Sequence, residues 1–212
     1  MTERVVVIGA GMAGLWTAMA LSGVGREITL LDRDPPPPGG GADDAFRDWS
    51  RRGVGHLRHS HAFLARLRTL IRDEHPPLLD ELLAAGCREL GFDGALTEHH
   101  RRAYSPKPID ADLSVLTSRR TTLELVMRRY AERLPGVAIR PETFVRELVI
   151  QPGSPPAVTG VRLDDGREIA ADVVVDASGR LSQSVEQFAA AGISIPESSE
   201  PCGVIYFTRH YR

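Results

Sequence analysis

Gly9-Ala10-Gly11-Met12-Ala13-Gly14 sets three glycines at the spacing GxGxxG, and an acid, Asp32, follows 18 residues after the last of them. Residues of these types at this spacing can hold a dinucleotide. Gly9 permits a tight turn, Gly11 lets a diphosphate approach the backbone, and Gly14 lets a helix pack close to a strand. An acid about 20 residues further on accepts the hydroxyls of the adenosine ribose. Asp34 is the neighbouring alternative, but it lies beyond the apolar block and before Pro35, which favours Asp32.

Such residues need a strand before the glycines, a helix after them and a second strand leading to the acid. Val5-Val6-Val7-Ile8 is a β-branched block suited to a buried strand. A helix over about Ala13 to Leu21 and a strand over Ile28–Asp32 complete the set. Val5 to Gly25 carries no charged residue, a run long enough to suggest a membrane span or signal peptide. Its glycines interrupt the run where a spanning helix needs bulk, so strand, turn, helix, strand is the better parse. The helix aims unpaired N–H groups and the positive end of its dipole at the anion, worth about 0.3–1 kcal/mol when exposed.

Pro35–Pro38 and Gly39–Gly41 break the pattern. Apolar spacing predicts a helix over Ala62–Glu74 and a shorter one from Pro76 through Leu83, ended by Gly86. Cys87 to Ser118 reads as an excursion over the surface. A third long helix is expected after Arg120, with Thr121 and Glu124 as a capping box. Strands follow at Val137–Arg140 and Phe144–Ile150, then a hairpin of Val158–Leu163 and Glu168–Ala170 around Asp164-Asp165-Gly166. Val173–Val175 reads as a buried strand returning to the sheet and ending at Asp176-Ala177-Ser178-Gly179-Arg180. The fold class is α/β: a Rossmann-like domain with a parallel sheet, helices and a β-hairpin or meander layer.

Composition narrows the function. With 42% hydrophobic and 25% charged residues the chain can bury a core, which excludes wholesale disorder. The 26 basic and 28 acidic residues leave no excess to neutralise a phosphate backbone, so nucleic acid is not an expected partner. Two cysteines, Cys87 and Cys202, with no CxxC argue against a disulfide scaffold and make the cytoplasm the default location. Lys107 is the only lysine, so Arg51-Arg52, Arg101-Arg102 and Arg128-Arg129 reflect a general arginine bias, are weak evidence for anion sites, and read for the most part as solvated helix or loop faces.

Val5–Leu15, Asp32-Arg33, Arg120-x-x-Leu123-Glu124 and Ala171–Arg180 occur in that order. Together they resemble the amino-terminal half of FAD-dependent oxidoreductases of the para-hydroxybenzoate hydroxylase type. That family includes monooxygenases, epoxidases, halogenases and reductases. His59–Arg66 followed by Leu78–Gly86 is similar to a bacterial branch of it. The resemblance implies that Gly9, Gly11, Met12, Ala13 and Gly14 cradle the FAD diphosphate and that Asp32, with Arg33 beside it, serves the adenosine. It places Arg120 against FAD, and the Asp176–Gly179 turn near the flavin and nicotinamide, with Ala-Ser where other members order Gly and Asp differently. It further implies NAD(P)H as electron donor and a small organic substrate.

His56, His59 and His61 suggest a zinc site, but no carboxylate or cysteine stands at ligand spacing, so no metal is expected. His61 is the candidate for facing the cofactor, because it is expected to open an amphipathic helix. A cation at a helix start opposes the dipole, which points Arg120 toward an anionic partner. No GxSxG elbow marks a hydrolase, and no residue identifies itself as a catalytic acid or base. Residues 1–182 are expected to form the FAD-binding domain, with an inserted segment 35–117, and 183–212 to begin a truncated substrate domain. Gly203–Arg212 reads as a strand entering it, with a second polypeptide as a possible source of the rest. The leading reading is an FAD-dependent, NAD(P)H-using monooxygenase without a membrane span. The alternatives are a non-catalytic or truncated dinucleotide-binding fragment and, more weakly, an NAD-dependent dehydrogenase.

Overall fold

The computed structural model describes residues 2–23 and 25–209. In chain order the first elements are β1 (Glu3–Ile8), α1 (Met12–Leu21), β2 (Arg26–Leu31), α2 (Ala42–Asp48), β3 (Ser60–Phe63), α3 (Ala65–Glu74), α4 (Pro76–Ala84) and β4 (Arg88–Leu90). There follow α5 (Glu98–Ala103), β5 (Val115–Arg119), α6 (Arg120–Ala131), β6 (Val137–Arg140), β7 (Val145–Gln151), β8 (Ala157–Leu163), β9 (Glu168–Ala170), β10 (Val173–Asp176) and α7 (Ser184–Ala190). By internal packing the chain forms two units. One comprises Met1–Pro36, Ser50–Gly55 and Arg128–Arg212, the other Pro37–Trp49 and His56–Met127.

In the first unit a parallel sheet runs in the order β10-β1-β2-β6, with Val5 beside Ile28 and Val173. Side chains alternate across a strand, so Val5, Val7, Ile28 and Leu30 share one face and Val6, Ile8 and Leu31 the other. On the first face α1 packs through Leu15, Ala18 and Met19, all buried. On the second, Val6 and Leu31 join Val161 and Leu163 of β8 and Ala171 in one apolar cluster. There the antiparallel sheet β7-β8-β9 covers the parallel one, which is the expected hairpin layer. Rossmann-like α/β architecture follows. β10, expected as a buried strand, is at the edge of the sheet, and its Val173 is partly exposed.

The second unit contains the antiparallel sheet β3-β5-β4 with α2 to α5. Its core includes Trp49, Ile71, Leu78, Leu82, Leu116 and Leu123. The Arg58 guanidinium donates to the carbonyls of Phe46, Arg47 and Trp49, satisfying the open end of α2. Helix α4 ends as expected at Gly86, whose positive φ lets Gly86 N–H reach Leu83 O and Cys87 N–H reach Leu82 O.

Four expectations need correction. The helix read from Ala62 begins at Ala65, because Ser60–Phe63 pairs with β5 as a strand. Cys87 to Ser118 is no mere surface excursion, since it contributes β4, α5 and β5, with Leu116 fully buried. The capping box is not formed. Helix α6 starts at Arg120, Thr121 lies inside it with its buried hydroxyl unpartnered, and Glu124 accepts instead from Arg120 Nε. Residues 201–209 form no strand, and Phe207 there is 92% exposed, while 210–212 lie outside the described residues.

Candidate dinucleotide site

The glycine turn has the shape its spacing predicts. Gly9 has φ +98°, a conformation that side chains disfavour, and its N–H donates to Leu31 O across to β2. A methyl group at Gly14 would lie 1.9 Å from Gly9 O, so the close contact of α1 with the turn requires glycine there. A methyl at Gly9 would lie 2.7 Å from Ala177 O, which places the β1–α1 turn against the turn after β10. At Gly11, by contrast, a methyl would meet nothing within 4 Å. Gly11 is also the residue before α1, and no side chain caps the helix. Its first N–H groups, those of Met12 and Ala13 among them, thus belong to a helix start beside open space.

The acidic end of β2 is built differently. Asp32 and Asp34 are both buried, and so is the Arg51 guanidinium, only 4% exposed. Arg51 Nη2 donates to Asp32 Oδ2 at 2.8 Å, its Nε to Asp34 Oδ2 at 3.4 Å, and its Nη1 to Ala10 O at 3.1 Å. Arg128 Nη1 reaches Asp32 Oδ2 at 3.5 Å, and Asp34 N–H donates to Asp32 Oδ1 at 3.2 Å. Burial pushes the Asp32 carboxyl above its usual range, although Arg51, the Asp34 N–H and Arg128 act against it. Arg51 and Arg128 are therefore no solvated surface pair members, as the arginine bias suggested, but internal counter-ions. Nothing local in the sequence marks them, since their carboxylate partner is 19 and 96 residues away. Arg33 remains exposed.

At the β10 turn the Asp176 carboxylate is occupied locally. It accepts from Ser178 N–H and from the hydroxyls of Ser178, Ser182 and Ser184. Burial pushes its pKa up, but these donors outweigh it and hold the carboxyl below the ordinary range. Gly179 follows with φ +72°. The structure thus brings Gly9 and the Asp176–Gly179 turn together, with Asp176 fastening the turn.

His61 and Arg120 belong to the second unit. His61 does not open a helix. It sits in β3 opposite Ser118, stacked on Phe63 at 5.6 Å and 5.2 Å from His56, with Nδ1–H donating to His59 O. Arg120 has an anionic partner within the chain, the fully buried Glu124 one turn on, and its Nη1 lies 3.4 Å from His56 Nε2. Burial and then the Arg120 charge push His56 below the usual histidine range. Among the described residues no three His, Cys, Asp or Glu side chains converge to hold a metal. No helix among them is long and apolar enough to cross a membrane.

A profile of the family described as FAD dependent oxidoreductase matches residues 4–202. Among solved structures, PqsL from Pseudomonas aeruginosa, described as "a probable FAD-dependent monooxygenase", aligns with a TM-score of 0.63 at 19% identity, over 95% of this chain and 48% of that one. A 2-methyl-3-hydroxypyridine-5-carboxylic acid oxygenase aligns at 0.54 and 21% identity, over 89% of this chain and 42% of that one. The Diels-Alderase PyrE3 aligns at 0.57 and 20%, over 89% and 35%. At such identities the likeness establishes the fold, and the chain spans about half the length, or less, of these proteins. No curated protein matches it in sequence.

Proposed function

Since the chain belongs to the family of FAD-dependent oxidoreductases, we propose that it holds FAD along Gly9–Gly14 and Asp32 and serves an NAD(P)H-using monooxygenase of a small organic substrate. The carrying observation is the glycine turn, shut tight at Gly9 and Gly14 and open only at Gly11, beside the uncapped start of α1. That is the form a diphosphate needs, with N–H donors and a positive dipole facing space that no side chain fills. Asp32 accepts the ribose hydroxyls, Arg33 offers an exposed cation beside it, and Gly179 keeps the neighbouring turn free of bulk. When bound, FAD would supply the redox chemistry between a nicotinamide, dioxygen and the substrate, and this chain's part would be to hold it on the glycine turn and Asp32. The roles of His61 and Arg120 toward FAD rest on the resemblance alone.

The occupied Asp32 carboxylate favours one second reading, a fragment without catalysis. Titration of the purified protein with FAD separates the two. A flavin spectrum that NADH or NADPH bleaches anaerobically supports the oxidoreductase, and a colourless protein indifferent to FAD supports the fragment.

A further inference from the structure

The sheet β7-β8-β9 has two edges, and they are of unequal length. β9 has three residues, too few to invite a further strand, whereas β7 has seven and carries the uncharged run Leu148-Val149-Ile150 without proline. Its one acid, Glu147, is drawn to Arg162 of β8. A long edge of this kind offers unpaired N–H and C=O groups to any strand that meets it. On the outer side of β7 stands Gln187 of α7. Leu148 N–H donates to Gln187 Oε1 at 2.7 Å, and Gln187 Nε2 donates to Arg146 O at 3.3 Å. In a parallel ladder a residue opposite Glu147 would take these same two groups, the C=O before it and the N–H after it. One side-chain amide therefore replaces a peptide unit of a neighbouring strand. Beside it Phe144, Arg146, Glu147, Gln183 and Gln187 line an open cleft, so the edge has space along it.

We propose that the β7 edge is a strand-pairing surface for a second copy of this chain, and that the Gln187 amide keeps it closed. A second copy fits because the strand is complementary to itself. Counted outward from Leu148, an antiparallel copy sets Arg146 opposite Ile150 and Glu147 opposite Val149, so no like charges meet. Leu148 then faces its own counterpart. The proposal is independent of the dinucleotide reading above.

The test follows purified wild type, Gln187→Ala and Gln187→Glu by sedimentation velocity over a range of concentrations, and by hydrogen exchange at the Leu148 amide. In wild type that amide is expected to exchange slowly, at a rate independent of concentration. In folded Gln187→Ala, matched to wild type by circular dichroism, it exchanges at least about tenfold faster in dilute solution. It slows again as concentration rises, while self-association tightens at least about tenfold over wild type. Gln187→Glu, whose carboxylate accepts from Leu148 N–H but cannot donate to Arg146 O, falls between the two. Should Gln187→Ala fail to fold, wild-type exchange and Gln187→Glu decide alone. Wild-type exchange at Leu148 that slows with concentration overturns the proposal, because the edge would already be shared. Folded variants that associate no more than wild type overturn it as well. So does association in which the Leu148 amide stays fast, since the contact would then lie elsewhere, such as at the exposed residues 204–207.

Discussion

The glycine turn and the acidic end of β2 belong to the same candidate site, yet they are built by opposite means. The turn is backbone brought into close contact at Gly9 and Gly14 by missing side chains, with free space at Gly11. The acidic end is packed with charge, two carboxylates and two guanidiniums buried together. The first leaves backbone donors facing space, whereas the second satisfies its charges within the chain. Substitutions at the two ends should therefore separate folding from binding.

The largest effect is expected at Gly14. Its missing methyl would sit 1.9 Å from the Gly9 carbonyl, a backbone atom that cannot give way without moving the turn. Gly14→Ala should cost about 3 kcal/mol or more, the upper part of the range for overpacking. Urea unfolding monitored by circular dichroism measures it, and a loss below about 1 kcal/mol would show that α1 can shift. Next comes Gly11→Val, at an extended position any residue adopts. Its unfolding midpoint should stay close to that of wild type, while FAD affinity falls at least about 100-fold, or roughly 2.7 kcal/mol. If FAD bound equally well to the folded variant, the diphosphate would not lie on this turn.

The same contrast explains what could be read in the sequence. Glycine spacing, the β-branched block at Val5–Ile8, the Gly86 stop and the Asp164–Gly166 hairpin are short-range signals, and β1, α1, α4 and the β8–β9 pair follow them. What was illegible depends on distant partners. Ser60–Phe63 looks like the lead-in to a helix because Phe63, Leu64 and Leu67 have helical spacing, but pairing with Leu116–Arg119 makes it a strand and leaves Leu64 75% exposed. Thr121 and Glu124 have the spacing of a capping box, yet β5 runs straight into α6, so Glu124 turns to Arg120. Arg51 and Arg128 look like any other arginine pair in a chain with a single lysine, and only the fold brings them to Asp32. The carboxylate at the end of β2 was thus readable and its internal counter-ions were not.

A pH series sharpens the comparison at the charged end. Burial raises the folded-state pKa of Asp32 above the ordinary value of about 3.9. Between the two values the folded state binds more protons than the unfolded one, so stability falls as pH rises through this window and levels off above the folded pKa. Asp32→Asn removes the titration. The stability of wild type relative to Asp32→Asn is therefore expected to be greatest at the acid end and to decline as pH rises above about 3.9. Urea midpoints for both proteins across the acid range to neutrality measure it. A relative stability that instead grew with pH would mean that Arg51 and Arg128 outweigh burial.

The smallest effect belongs to Asp176, where the sign reverses. The hydroxyls of Ser178, Ser182 and Ser184 with the Ser178 N–H outweigh burial and lower its folded pKa, so the stabilisation is present above the unfolded pKa and is lost as pH falls through the folded one. Because the residue is exposed, water replaces much of what is removed, and Asp176→Asn should cost about 1 kcal/mol or less at neutral pH. The site depends on this turn only through its contact with Gly9, which is made by the Ala177 backbone and not by the carboxylate. FAD affinity should therefore change less than about threefold, well under 1 kcal/mol. A loss of affinity as large as that of Gly11→Val, in a protein of near wild-type stability, would instead give the Asp176 carboxylate a direct part in holding the cofactor.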